Sequence, residues 1–536
     1  MKRSYRKLLA LICAAATVVF MTACGNKSAS ASAQEATPAE TSAQIAETAP
    51  KPTELSDKTL TVALQAEPTG LTGLLGAGTE AGLIVMDTLT NTLYRYDGET
   101  RQAVPALASS YETIDETHYR FTLREDACYS DGTPVKAQDV VYSFTKYIEA
   151  GVANATSLDA EGLVAEDDQH VVIAFKNYVP GWLYLVSEPS MGVFSEGAVE
   201  AVGGPEAAER TVPVSCGRYV FSEWKSGEYI MVERNDNYWD KDNMGFYKNI
   251  KFIFIGDSAA RSLAVQSGDA DVAYRVSATD YLAAEANPGI SGYKIPGEAV
   301  YNVFFNCSSE LMSNAKLREA VAYAIDANAV NNLITLGTGR LAQGLWSPSF
   351  PYMHDVYDGG VLQTDLEKSK AALAESGLTG FTLRCITLPA NQGIATIVQE
   401  NLRQVGIEVE VVPMEQSIYV QEARSGNYDM QIGSSTVETV QPNAFNQIDP
   451  AKIGISIGTC RITDPVMTEL VAKASSSDEA TSAEGFNGIV DYVFENFCLR
   501  GLCTESKSCV VRTGIQGLGA SSRMGYLNVG NAYEAE

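Results

Sequence analysis

The chain of 536 residues is long enough for two to four structural units with large buried cores. Hydrophobic residues make up 45% and charged residues 20%, proportions that exclude wholesale disorder and a polytopic membrane protein. A formal charge of −27 repels phosphate backbones and argues against a nucleic-acid partner, and three histidines (His118, His170, His354) leave little for zinc sites or histidine-based catalysis.

Lys2, Arg3, Arg6 and Lys7 precede an apolar run over residues 8–20, too short for a membrane-spanning helix and suited to the core of a secretory signal. The run ends in Met21-Thr22-Ala23-Cys24, which resembles a bacterial lipobox. Residues 1–23 are therefore read as a lipoprotein signal peptide, with Cys24 the lipidated first residue of the mature chain. Residues 24–57 hold mostly Ser, Ala, Thr, Glu and Pro, too few large apolar groups to offset ordering entropy. This stretch is expected to be a disordered tether spanning roughly 30 Å as a coil. The folded part is then held in water beside a membrane, outside the cytoplasm. Eight further cysteines are scattered without a C-x-x-C pair and read as buried small hydrophobes; the closeness of Cys498, Cys503 and Cys509 leaves one disulfide open.

Along the chain, Tyr119, Phe121 and Leu123 alternate as a strand, residues 130–134 form a turn and residues 137–147 a helix, the texture of a separate α+β lobe. Residues 249–255 read as a strand, followed by a helix capped at Asp257 or Ser258 and ended by Gly268, then a strand at 271–274. A helix over 314–325 presents Leu317, Val321, Ala324 and Ile325 on one face; Asn328 interrupts that face, so Asp326 caps a second helix to about 334. Thr364 and Glu367 form a capping box for a helix ending at Gly377. A strand at 381–385, a helix at 394–404, a strand at 407–411, a short helix at 417–424 and a strand at 428–432 follow. This alternation predicts parallel sheet with right-handed crossovers, and ligand sites in the loops after strand carboxyl ends.

Gly454-Ile455-Ser456-Ile457-Gly458 matches the nucleophile elbow of hydrolases, but every histidine precedes Ser456 and no helix follows at once. It reads as a glycine-flanked loop, and a secreted serine hydrolase is the alternative from another class. Asp131-Gly132-Thr133-Pro134 lacks the alternating acids of a calcium loop and reads as a turn ahead of a helix. Residues 73–78 are glycine-rich without the G-K-[ST] ending of a phosphate loop, and let backbone approach a strand or a ligand. Tyr219, Trp224, Tyr238 and Trp239 read as core or lobe-interface packing. With no catalytic residue, metal set or cofactor motif, the expectation is a ligand-capturing receptor that is not an enzyme.

Several segments carry a resemblance to a known family. They are Pro105-Ala106-Leu107-Ala108-Ser109-Ser110-Tyr111-Glu112, Tyr119-Arg120-Phe121-Thr122-Leu123-Arg124, and Tyr129-Ser130-Asp131-Gly132-Thr133-Pro134-Val135 with Asp139-Val140-Val141-Tyr142-Ser143-Phe144. Gly217-Arg218-Tyr219, Glu233-Arg234-Asn235 with Tyr238-Trp239, Gln266-Ser267-Gly268-Asp269-Ala270-Asp271 and Leu317-Arg318-Glu319-Ala320-Val321-Ala322-Tyr323-Ala324-Ile325-Asp326 follow in order. From about Leu60 to the C-terminus the sequence resembles the family 5 solute-binding proteins of ABC importers, the peptide- and nickel-binding group.

The resemblance implies an α/β, multi-lobed clamshell of the type II periplasmic-binding-protein kind, with two main lobes, a small extra lobe, a hinge and an interlobe ligand cleft. It assigns residues 58–90, 200–298 and 495–536 to one main lobe, 91–199 to the small lobe and 299–494 to the other, with hinge crossings near Val300 and Phe494. It further implies a peptide or amine-bearing ligand, permease subunits as partners, membrane contact only through the N-terminal lipid, and a monomer. In peptide-binding members an acid about ten residues past a Tyr-Asp strand holds the ligand's amino terminus. Counting from Tyr428-Asp429 places Glu438 there, with Ser435 where a tryptophan commonly stands and Pro442 and Phe445 in register. Ser435 and Thr436 beside Glu438, Gly78, Thr79 and Glu80 from the opposite lobe, and Asn391, Gln392 and Trp346 complete the candidate set. The loop at 388–393 lacks the arginine with which dipeptide binders hold the ligand carboxylate, which favours longer peptides or other amines. A nickel or metal-chelate receptor, using His354, is the alternative within the family.

Overall fold

Strand–helix units and an antiparallel hairpin build the two ends of one sheet, and two long strands join the ends. The computed structural model describes residues 52, 54–76, 78–100, 102–347, 350, 353, 360–436 and 445–535. The signal segment, Cys24, the tether as far as residue 51, His354, Glu438 and Pro442 lie outside the described residues. Among the described residues the main sheet has eleven strands. Ten lie on one path: β1 (Thr59–Leu64), β2 (Tyr219–Lys225), β3 (Tyr229–Arg234), β4 (Asn249–Phe254), β5 (Val272–Ala273), β6 (Ile290–Phe305), β7 (Thr382–Thr387), β8 (Glu408–Pro413), β9 (Met430–Thr436) and β10 (Leu499–Arg512). Their spatial order is β8-β7-β9-β6-β10-β5-β1-β4-β3-β2, and Arg340–Leu341 pairs with β10 off this path.

Pairing is parallel where the α/β alternation predicts it: β1 lies between β4 and β5, and β7 between β8 and β9. It is antiparallel along β6 and β10 and in the run β4-β3-β2. The sheet is therefore mixed, a departure from the parallel expectation. β6 and β10 pair from Ile290↔Arg512 to Phe304↔Leu499, with register shifts between Pro296 and Val300 and again before Asn302.

Local chemistry explains the helices. Asp257 caps Ser258–Ser267 by accepting from the Ala260 N–H, and Gly268 ends that helix at φ 84°, where a β-carbon would be strained. Asn314 caps Ala315–Ala324; Ile325 turns extended, and Asp326 caps Ala327–Thr335. The capping box expected at Thr364 does not form. The Thr364 hydroxyl donates to the Ile325 carbonyl instead, and the cap of Leu366–Ser376 is Asp365, whose carboxylate accepts from the Lys368 N–H. An anionic acceptor at a helix start also meets the positive end of the helix dipole.

The apolar side chains fall into separate cores. One runs from Leu60, Val62 and Leu64 through Tyr119, Phe121 and Phe144 to Ile295, Cys509 and Val511. It is continuous with a four-stranded antiparallel sheet formed by Ala108–Thr113, His118–Leu123, His170–Ala174 and Val164–Ala165, on which Trp182 stacks against Tyr119 at 3.7 Å. A second core holds Val303, Phe305, Leu383, Val398, Leu502 and Cys503. A third, beside it, holds Phe304, Trp346, Phe486 and Leu499. Each long strand thus passes from one core to another along its length.

Candidate functional site

Where β6 and β10 pass between cores, a cavity of about 340 Å³ opens beside them. Gly297 and Ala299 of β6 and Glu505, Ser506 and Lys507 of β10 form one wall. Glu80, Arg275, Met524 and Tyr526 form the rest. Glu80 starts the helix Glu80–Leu89, which follows the carboxyl end of β1, and Arg275 follows the carboxyl end of β5. Both are loop positions at which α/β sheets gather ligands. Thr79 caps that helix by accepting from the Gly82 N–H at 3.2 Å, which fixes the direction in which Glu80 leaves the first turn.

Glu80 is the hub of the wall. Its Oε1 accepts from Lys507 Nζ at 2.7 Å and from the Tyr274 hydroxyl at 2.8 Å, and its Oε2 accepts from Arg275 Nη1 at 2.6 Å and Gln65 Nε2 at 3.4 Å. The Glu80 and Lys507 side chains are each 14% exposed. Burial alone would raise the Glu80 pKa, but Lys507, Arg275 and Tyr274 together hold it below the ordinary glutamate value. Lys507 Nζ also donates to the Met524 carbonyl at 2.6 Å and lies 4.8 Å from the centre of the Tyr526 ring. The cavity thus offers two cations around one shared carboxylate, a second carboxylate on exposed Glu505, and an aromatic face. Such a set matches a ligand bearing both charges.

The other sequence-derived candidates are distributed as follows. Gly78 and Thr79 adjoin Glu80 at the helix start. Thr436 ends β9, where its backbone pairs with Ala299 of the cavity wall. Ser435 is buried one pair further in; its hydroxyl accepts from Asn302 Nδ2 at 3.1 Å and donates to the Leu345 carbonyl at 3.2 Å. Asn391 and Gln392 stand past the carboxyl end of β7, at the start of Gln392–Arg403, and do not line the cavity. Trp346 is fully buried, stacked on Phe350 at 4.4 Å and against Phe486 at 5.5 Å. Ser456 lies in turns after Pro450–Lys452, without the strand and helix of an elbow. His118 and His170 pair with Asp115 and Asp167 three residues before each. Among the described residues no group of three His, Cys, Asp or Glu side chains is placed to hold a metal ion.

Sequence reasoning missed Arg275, Gly297, Ala299, Glu505, Ser506, Lys507, Met524 and Tyr526. Arg275 had a signal, since it directly follows a predicted strand. The residues of β6 and β10 had none, because nothing local announces where two long strands separate.

A second, water-sized cavity of about 30 Å³ lies among Asp87, Arg95, Arg218 and the ends of neighbouring loops. Asp87 Oδ2 is buried without a hydrogen-bond partner. Burial pushes this carboxyl up to about 6 from 3.8, against the pull of Arg218 and Arg95. Because the folded pKa is raised, the folded state gains from protonation below pH 6 and carries a penalty above it. Asp87→Asn is expected to stabilise the protein by about 3 kcal/mol at pH 7, with the gain fading to nothing near pH 4. Urea unfolding across that range checks it; a gain independent of pH would contradict the account.

Comparison with known proteins gives the class. Residues 102–449 match the model of the bacterial extracellular solute-binding proteins, family 5. The dipeptide-binding protein DppE of Bacillus subtilis is 25% identical over 417 residues, 72% of this chain and 75% of that protein. The oligopeptide-binding protein AppA of the same organism is 26% identical, covering 80% of each. Among solved structures, the unliganded open form of the periplasmic murein tripeptide binding protein MppA superposes with a TM-score of 0.77 at 20% identity, covering 90% of this chain and 98% of that one. The fold is that of the type II periplasmic binding proteins. The chain belongs to family 5 of the bacterial extracellular solute-binding proteins.

Proposed function

We propose that the protein is an extracytoplasmic receptor that captures a peptide, or a related amine-bearing solute, and delivers it to the permease of an ABC importer. The observation that carries this reading is the 340 Å³ cavity at the point where both long strands change cores, walled by Glu80, Arg275, Glu505 and Lys507. Rotation of the two ends of the sheet about the register break at 296–300 would close the cavity on its ligand. Binding energy then favours the closed form, and only that form docks productively on the permease. No step of this cycle needs a catalytic group. The names of the relatives, binders of dipeptides and oligopeptides, favour peptides as the ligand class.

Glu438 is the proposed anchor of the ligand ammonium. The support is its register in the family and the arrival of β9, the strand preceding it, at the cavity wall through the Thr436↔Ala299 pair. Mass spectrometry of ligand released on denaturing protein from its native host identifies the solute. Calorimetry with that solute then tests Glu438→Gln, expected to cost ~3–5 kcal/mol, or two to three decades and more of affinity. N-acetylation of the ligand should cost as much, and the double change little more. Unchanged affinity would remove Glu438 as the anchor. Cleavage of the ligand, lost in Ser456→Ala, would replace the receptor by the hydrolase.

The receptor is held at the membrane by lipid on Cys24 and works as a monomer. The support is the charged segment, short apolar run and lipobox-like tetrapeptide at the N-terminus. Cys24→Ala should appear in the soluble fraction, and continued partition with membranes would contradict the anchor.

A further inference from the structure

A short hairpin near the C-terminus pairs Gly519–Ala520 with Leu527–Asn528. Its turn is held by the Ser521 N–H on the Tyr526 carbonyl at 2.9 Å and the Gly525 N–H on the Ser522 carbonyl at 3.0 Å. Met524 and Tyr526 of this turn line the cavity, and the Met524 carbonyl accepts from Lys507 Nζ. Arg523, one residue before Met524, is only 7% exposed. Its backbone N–H donates to Glu188 Oε1 at 3.2 Å, and its guanidinium carbon lies 4.6 Å from the centre of the Tyr184 ring and 5.7 Å from that of Phe350. Tyr184 belongs to the short helix Trp182–Leu185, whose Trp182 and Leu185 sit in the first core, while Phe350 belongs to the third. The guanidinium thus stands between two cores, next along the chain from a residue of the cavity wall.

The nitrogens of this guanidinium lack acceptors. Nη1 is buried without a hydrogen-bond partner, and among the described residues the group makes no side-chain hydrogen bond and no ion pair; Glu188 takes the backbone N–H instead. Two other buried arginines show the usual solution. Arg261 donates to the carbonyls of Ile255, Gly256, Tyr274 and Arg275, and Arg318 to those of Met312, Ser313 and Asn496. Two aromatic faces attract a cation, but they do not replace acceptors for its five N–H groups. A desolvated charge left in this state works against folding unless something else completes it. The chain carries 66 acidic residues, yet none of those described is placed to pair with Arg523. The group that meets both the charge and the planar fork is a carboxylate, which accepts two parallel N–H bonds.

We propose that Arg523 is a subsite for a carboxylate of the captured solute. The inference rests on the receptor reading above and adds to it a second charge on the ligand. The cations of the cavity wall are less suited to this role, because Lys507 and Arg275 already donate to Glu80. Separation of the first and third cores draws Tyr184 and Phe350 apart and opens the guanidinium to the cleft. The carboxylate docks on it, and the returning rings shut water out, which strengthens a charge-assisted pair. The ligand class narrows to solutes that carry a carboxylate as well as an amine, as a peptide does at a free C-terminus or an acidic side chain.

The test incubates the full-length protein with synthetic pools of tetra- to hexapeptides and identifies retained peptides by native mass spectrometry. One pair of pools lacks Asp and Glu and differs only in a free or an amidated C-terminus; a second pair contains both acids. Wild type should retain the free acid-less peptides and disfavour their amides by about ten- to a hundredfold. Retention of amidated peptides only when they hold Asp or Glu would also support the subsite, with a side chain as the source of the carboxylate. Arg523→Met, apolar and of similar length, should erase the discrimination, and Arg523→Lys should keep part of it. Without peptide, Arg523→Met should melt no lower than wild type, since it removes a buried charge that has no counter-charge. A lowered melting temperature would make Arg523 a structural prop and overturn the proposal. Equal retention of free and amidated acid-less peptides by wild type, or full discrimination in Arg523→Met, would overturn the subsite and leave the receptor standing. Retention of no peptide from any pool would overturn the peptide receptor and the subsite together.

Discussion

Replacing Gly297 by alanine should damage both stability and ligand capture. A β-carbon there would sit 1.7 Å from the Glu505 carbonyl oxygen, a backbone atom that cannot swing aside. Gly297 lies in the unpaired stretch between Pro296↔Ser506 and Val300↔Thr504, where the two long strands separate and the cavity begins. Relief requires one strand to move away from the other. The expected cost is about 3 kcal/mol in urea unfolding, at the upper end for an overpacked site. Because the displaced backbone is cavity wall, affinity for the natural ligand should fall by about tenfold or more. Gly197→Ala is the control: nothing lies within 4 Å of its β-carbon, and it should be neutral or slightly stabilising. Equal stability of Gly297→Ala and wild type would mean that the strands at this point yield freely.

Glu80→Gln should have a comparable effect for an electrostatic reason. The substitution keeps the shape of the side chain but removes the charge that Lys507 and Arg275 share. Lys507 is then left largely buried without its counter-charge, which typically costs about 3 kcal/mol. The pH dependence identifies the cause. Since the folded pKa of Glu80 is lowered, its contribution is complete above the unfolded value and is lost as pH falls through the folded one. The gap between wild type and variant should therefore be largest at neutral pH and narrow below pH 4.5. A gap that stays constant down to acid pH would point to lost packing. Arg275 adds less, because its side chain is 47% exposed and its pair with Glu80 is screened by water.

Much of the molecule was legible before any coordinates. The helix starts at Asp257, Asn314 and Asp326 follow from side chains that accept from backbone N–H groups two or three residues away, and the stop at Gly268 follows from the left-handed backbone that glycine adopts without strain. The strand alternation around Ile250 and Leu383 follows from a period of two. The ordered series of family segments pointed to the clamshell class. Even the slip at Thr364 was local: two adjacent residues could cap one helix, and the carboxylate of Asp365 took the place when the Thr364 hydroxyl found the Ile325 carbonyl.

The site itself was legible only in part. Glu80 could be named because it starts a helix after a predicted strand, yet its role as a shared counter-charge depends on Lys507, 427 positions away. Trp346 was a reasonable cleft residue by position, but Phe350 and Phe486 enclose it in a core. Capping, periodicity and signal-like segments act over a few residues, so the sequence alone determines them. Where β6 and β10 separate, which loops close on the gap, and which rings flank Arg523 are set by pairing between segments up to hundreds of residues apart. Only the tertiary structure could decide those, because the energies that select them come from burial and charge pairing, which no short window of sequence contains.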